Sequence, residues 1–246
     1  MTESNGDRPT GHHPSAAWHQ DAVVPRAKRS RDGQPDPQQE RRRAISDLGD
    51  ELRNLVDLAA ATEVSAEDLD RAAVHVRAAA ALLATERRHR PATPRADDFL
   101  DGIRMHNPVT GAGSAFAPPL QIVQEGGLTV GTCTLGLAFE GPPSYVHGGV
   151  SAMLLDQMLG YAVSASGHPG MTVRLDTVYR TPVPLETPLR LTAEVTAIDG
   201  RKVTATGTVA TAAAPDTLLV TATGTFVALR ADQARRLFGA VSGITE

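Results

Sequence analysis

Cysteine is almost absent from this chain. The single Cys133 cannot form an intramolecular disulfide and cannot build a cysteine-based metal cluster. Aromatic residues are nearly as scarce, at 4% of the sequence, so a packed interior must be assembled mainly from Ala, Val and Leu. There is no excess of positive charge: 24 Lys and Arg stand against 28 Asp and Glu, for a net charge of -4 at pH 7. That balance gives no support to nucleic-acid binding as the main function. No hydrophobic run approaches the ~20 residues of a membrane-spanning helix. The first residues lack the apolar core of a secretion signal, and Asp and Glu interrupt their Arg residues, unlike a transit peptide. A reducing, cytoplasmic setting is the resulting expectation.

What is present is concentrated in one stretch, Tyr145-Val146-His147-Gly148-Gly149-Val150-Ser151-Ala152-Met153-Leu154-Leu155-Asp156-Gln157 and onward to Tyr161. Val150, Met153, Leu154 and Tyr161 recur at helical spacing, with Leu155 and Leu159 filling in around them. A helix apolar nearly all round is buried, so the carboxylate of Asp156 within it is costly unless something uses or pairs it. Two glycines at the helix start leave backbone N–H groups free and uncrowded. With the helix dipole, they favour negative charge. Donors for an oxyanion and a carboxylate two turns along are the parts needed to hydrolyse an acyl group.

Around this stretch the chain divides into five parts. Residues 1–43 are rich in Pro, Gly, Asp, Arg and Gln without hydrophobic periodicity, and read as a disordered tail. Residues 44–90 carry two apolar stripes, Ile45 to Ala59 and Leu69 to Leu83, separated by a break and a capping box at Ser65-Ala66-Glu67-Asp68. They predict a helical hairpin that needs a surface to cover. Residues 91–118 form an irregular Pro- and Gly-rich connection. Residues 119–230 hold the main domain. Strands are expected over 120–124 and 128–139, then the helix from about Gly149 to Ser164, then strands over 171–179, 189–198, 202–211 and 218–229. Turns are expected at Pro182-Val183-Pro184, Asp199-Gly200 and Ala214-Pro215-Asp216. Residues 231–246 read as a short helix and tail. Two strands, a long apolar helix and four further strands joined by short turns imply an α+β fold, an antiparallel sheet wrapped around one helix.

Several separated pieces resemble one family: Asn107-Pro108-Val109, Ala117-Pro118-Pro119-Leu120, Glu140-Gly141-Pro142-Pro143, His147-Gly148-Gly149 with Asp156 downstream, Tyr179-Arg180-Thr181-Pro182-Val183-Pro184-Leu185, and Gly200-Arg201-Lys202. Over residues 105 to 229 the chain is similar to the hotdog-fold thioesterases, and among them to the PaaI-like acyl-CoA thioesterase group. The resemblance implies hydrolysis of an acyl-CoA with no cofactor beyond the coenzyme A of the substrate. It also implies a homodimer or homotetramer whose active sites lie between subunits. Gly148 and Asp156 are about 12 Å apart at ~1.5 Å per residue, too far to act together on one carbonyl, and a second copy of the helix would bring them together.

Within this resemblance Asp156 is the expected nucleophile or general base, and Gly148 or Gly149 supplies the oxyanion N–H. His147 orients the thioester or braces the loop. Thr172 holds the water or the acid. Arg180, Arg201 and Lys202 are candidate contacts for coenzyme A phosphates. No His or acid stands at metal-ligand spacing from these residues, so no metal site is expected. Two other readings compete: a non-catalytic acyl-CoA-binding or scaffold protein, and an enoyl-CoA hydratase. The absence of His between Gln157 and Ala165 counts against the hydratase.

Overall fold

The computed structural model describes residues 36–89, 92–98, 102–230 and 233. The tail over 1–35 and the terminal helix expected over 231–238 therefore lie, apart from Gln233, outside the described residues.

The first helix, α1 (Pro37–Ala61), begins inside the segment expected to be disordered up to residue 43. Asp36 accepts a hydrogen bond from the Gln38 N–H as N-cap. Pro37 occupies the first helical position, where a missing N–H costs nothing. Proline here is a starter rather than a breaker. The second helix, α2 (Ala66–Leu83), begins at the expected Ser65 cap, which accepts from the Asp68 N–H. It stops at Leu83, the last residue of the expected apolar stripe, and the Thr85 hydroxyl donates to the Leu82 carbonyl beyond it.

The two expected N-terminal helices form on either side of the expected break, and they make little contact with each other. Thr62 and Ser65 are both extended (ψ 143° and 156°), and carry α2 away from α1. Helix α1 docks through the buried Gly49, through Ile45 against Gly113, and through two arginines. Arg53 donates to the carbonyls of Ala112 and Ser114, both at 2.8 Å, and Arg42 to that of Ala96 at 2.8 Å. None of α2 is buried, and Leu82 is 74% exposed.

The main domain is a six-stranded antiparallel sheet of order β1-β2-β4-β5-β6-β3. Its strands are β1 (Gln121–Glu125), β2 (Leu128–Thr134), β3 (Met171–Tyr179), β4 (Pro188–Asp199), β5 (Lys202–Thr211) and β6 (Ala214–Val227). Helix α3 (Gly148–Ala165) lies against it between β2 and β3 in the chain. This is the α+β sheet-around-helix arrangement expected for a hotdog fold.

Three local expectations are corrected. The strand expected over 128–139 ends at Thr134, and Leu137–Phe139 is a single 3-10 turn. Pro182-Val183-Pro184 does not turn β3 back onto β4. Instead β3 pairs with β6 at the far edge, and the link crosses over with Val183 and Leu185 buried. The Val183 carbonyl accepts from Val146 N–H, and the Glu186 N–H donates to Leu135, which ties the link into the body. Finally, Ala214-Pro215-Asp216 opens β6 rather than forming the turn. Pro215 is tolerated because β3 pairs with β6 only from Val220 onward.

The core lies between α3 and the sheet. Leu155, Met158, Leu159 and Val163 have no exposed surface and belong to one cluster with Leu191, Ala205, Val220 and Phe226. Burial of each large aliphatic side chain contributes about 1.5–3 kcal/mol. Small sheet residues let the helix sit close. A Cβ on Gly207 would stand 3.3 Å from both Leu155 and Leu159.

Candidate active site

The expected site residues are distributed along β3, which runs antiparallel to α3 at the edge of the sheet. At the end of β3 lies the start of α3. His147 is the N-cap residue, in extended geometry (φ -59°, ψ 132°). Its Nδ1 accepts the Gly149 N–H at 3.0 Å. The Val150 N–H donates to the His147 carbonyl at 2.9 Å. Among the described residues nothing accepts the Gly148 N–H. Of the two glycine amides, one is engaged by the cap and the other has no acceptor among the described residues.

Tyr179 closes this end. Its hydroxyl donates to the Gly148 carbonyl at 2.9 Å, and its ring lies where a Cβ on Gly148 would meet it at 3.3 Å. Gly148, Tyr179 and Arg180 line a cleft of about 320 Å³ with Tyr145, Ser151 and Pro182. The cleft rim is held by two bridges, Glu140 to Val146 and Tyr145 to Pro184.

At the start of β3 the picture is different. Thr172 donates its hydroxyl to Asp156 Oδ1 at 2.9 Å, so the two residues expected to cooperate do meet. Asp156 is half-buried, on a helix whose neighbouring Leu154, Leu155, Met158 and Leu159 are fully enclosed. The contact depends on a β-bulge. Thr172 and Tyr179 are an odd number of residues apart, and side chains alternate along a strand, so a regular β3 would turn them to opposite faces. The pairing with β6 shifts between Thr172 and Arg174, and the extra residue, Val173, brings both onto the helix side.

The phosphate candidates do not gather in one place. Arg180 is beside Gly148 in the cleft. Arg201 and Lys202 belong to the β4–β5 hairpin, and Lys202 pairs with Val227, which pairs in turn with Met171 at the opposite end of β3. Arg201 donates to the Ala228 carbonyl at 2.9 Å. With one of the intervening residues bulged out, Thr172 and Tyr179 are roughly 20 Å apart at ~3.3 Å per residue, so Asp156 and the Gly148 N–H are well separated within one copy of the chain.

Cys133 takes no part. It is buried, and burial pushes its thiol up to about 12, which removes it as a thiolate nucleophile. Among the described residues no group of three His, Cys, Asp or Glu could hold a metal ion. No described helix is long and apolar enough to cross a membrane.

A family model described as the thioesterase superfamily matches residues 144–214, the stretch that contains the helix start, Asp156 and Thr172. A solved crystal structure of a thioesterase superfamily protein is 37% identical, with a TM-score of 0.66 over 74% of this chain and 94% of that one. The chain belongs to the thioesterase superfamily. Acyl-coenzyme A thioesterase THEM4 from Mus musculus is also similar, at 34% identity over 67 residues, which are 27% of this chain and 29% of that protein. The chain thus matches less than a third of this curated relative's length.

Two residues of this superfamily member escaped the sequence-based site. Tyr179 belongs to the Tyr-Arg-Thr-Pro motif, and the regular part of β3 carries it, on the face of Leu175 and Thr177, to the Gly148 carbonyl. Asn107 heads an Asn-Pro turn, where its Oδ1 accepts the Val109 and Thr110 N–H groups. Its Nδ2 donates to Gln157 Oε1 at 3.3 Å, next to Asp156. The Asn-Pro pair signalled a turn; nothing in it signalled the helix it would reach.

Proposed function

We propose that this protein hydrolyses acyl-CoA thioesters at sites assembled from two copies of the chain. The reading rests on one observation: the free Gly148 N–H and the Thr172-held Asp156 lie at opposite ends of the same edge strand. The outer edge of β3 has no strand partner among the described residues, and Met171, Val173, Val178 and Tyr179 are exposed along it. Antiparallel pairing of β3 with its counterpart, about a two-fold axis between Leu175 and Asp176, sets Thr172 opposite the partner's Tyr179. Each Asp156 then faces the helix start of the other copy. The same operation brings the end of the sheet that carries Arg201 and Lys202 toward the Arg180 end of the other copy, giving one cationic rim for the phosphates of coenzyme A.

In the reaction the thioester carbonyl oxygen gains negative charge as its carbon becomes tetrahedral, and the Gly148 N–H stabilises it. Asp156 acts as nucleophile or as general base for water, with Thr172 fixing the carboxylate. Collapse of the tetrahedral species breaks the C–S bond. The sulfur departs as the thiolate of coenzyme A and takes up a proton. Where water has added to the carbon with Asp156 as base, the acyl group leaves as the free acid; where the Asp156 carboxylate has added, an acyl–aspartyl anhydride forms and water then hydrolyses it to the free acid and the regenerated carboxylate.

The test is thiol release from a panel of acyl-CoA substrates of graded chain length. Wild-type protein should turn over, and Asp156→Asn should lose about 10²–10⁴-fold in kcat, the range for removing a positioned acid–base group, with an unchanged circular dichroism spectrum. Wild-type turnover no faster than the variant would sink the hydrolase reading and leave an acyl-CoA-binding protein.

A further inference from the structure

A single peptide group connects Tyr179 to His147. The Tyr179 hydroxyl donates to the carbonyl of Gly148 at 2.9 Å, and the N–H of the next residue, Gly149, donates to His147 Nδ1 at 3.0 Å. That carbonyl and that N–H belong to the same peptide unit, which is planar and polarised as a whole. Donation to the oxygen strengthens the N–H as a donor, as in other hydrogen-bond chains. An imidazole whose Nδ1 accepts a hydrogen bond must, when neutral, carry its proton on Nε2. The Tyr179 ring also packs on the Gly148 Cα, where an added Cβ would meet it at 3.3 Å, so the phenol limits movement of this unit from the side as well.

We propose that Tyr179 is a positioning residue that holds the Gly148–Gly149 peptide, and through it sets His147 as a donor at Nε2 beside the free Gly148 N–H. This rests on the thioesterase reading for its effect on rate, but not for its effect on the imidazole. Tyr179 acts through the backbone rather than on the substrate. Its exposed placement at the end of an edge strand has no packing purpose within one copy that Phe would not serve equally well.

Tyr179→Phe keeps the ring and removes the hydroxyl. In the full-length protein, ¹⁵N chemical shifts of the His147 imidazole should report the Nε2–H tautomer in wild type and a mixture of tautomers in the variant. With the most active acyl-CoA of the panel, kcat should fall about three- to tenfold, the equivalent of one neutral hydrogen bond, with KM little changed. His147→Asn retains an oxygen that can accept the Gly149 N–H; in that background Tyr179→Phe should have less than about a twofold further effect on kcat. An unmoved imidazole tautomer in Tyr179→Phe overturns the proposal, and so does a moved tautomer with wild-type kcat. If the wild-type protein hydrolyses no acyl-CoA, the thioesterase reading fails alone, and the tautomer measurement still decides the role of Tyr179.

Discussion

The two ends of β3 are built by opposite means. At Tyr179 the groups that matter are backbone: a free amide, a capped amide and a carbonyl, placed by helix geometry and only trimmed by side chains. At Thr172 they are side chains: a carboxylate and a hydroxyl, brought together by a bulge. A backbone site resists substitution of side chains and yields to changes in backbone chemistry, whereas a side-chain site does the reverse. The two ends are therefore distinguishable by experiment.

At the Tyr179 end the largest effect is expected from Gly148→Pro. Proline suits the first position of a helix, and the extended His147 already has the conformation a residue before proline prefers. The substitution removes the N–H with little else, and kcat should fall about 10²–10³-fold, the cost of one oxyanion donor. Gly148→Ala carries a similar Cβ toward Tyr179 but keeps the N–H. It should stay far closer to wild type, and equal losses in the two variants would assign the effect to crowding instead.

Mixing Gly148→Pro with Asp156→Asn tests whether the two ends belong to different chains. Half of randomly re-formed dimers are mixed, and each has one of its two sites intact. Activity should recover to about a quarter of wild type, although each parent is nearly inert. No recovery after exchange, shown by differently tagged chains that co-purify, would place both halves in one chain. Thr172→Val should have a smaller effect than Gly148→Pro or Asp156→Asn. It removes one hydrogen bond to a carboxylate, worth ~1.5–3 kcal/mol, so kcat should fall roughly ten- to a hundredfold while the fold is retained.

The sequence was most legible where one local rule decides. The β3 range and the β5 range were read residue for residue, and α3 to within a residue, because alternation, helical spacing and an Asp-Gly turn act over a few positions. It was least legible where the outcome depends on what comes to lie nearby. Ile45 to Leu83 carries two convincing apolar stripes, yet α1 also docks through Arg42 and Arg53 on backbone carbonyls of a connection about 60 residues away. Pro182-Val183-Pro184 has turn composition and serves as a crossing, since β6 rather than β4 offered β3 an edge. In the site, Asp156 and Thr172 could be named from motif and spacing. Their contact could not be foreseen, because alternation puts Thr172 on the face opposite Leu175, Thr177 and Tyr179, and a bulge leaves no mark in composition.

Gly49 has a reach that its size conceals. An alanine there would drive its Cβ into the Ala112 carbonyl oxygen, so α1 is seated directly on the main chain of the connection. Within that connection the Gly111 N–H donates to the Asn107 carbonyl, and the Asn107 side chain grips Gln157. An unbroken run of contacts thus leads from an appended helix to the residue next to the proposed catalytic carboxylate.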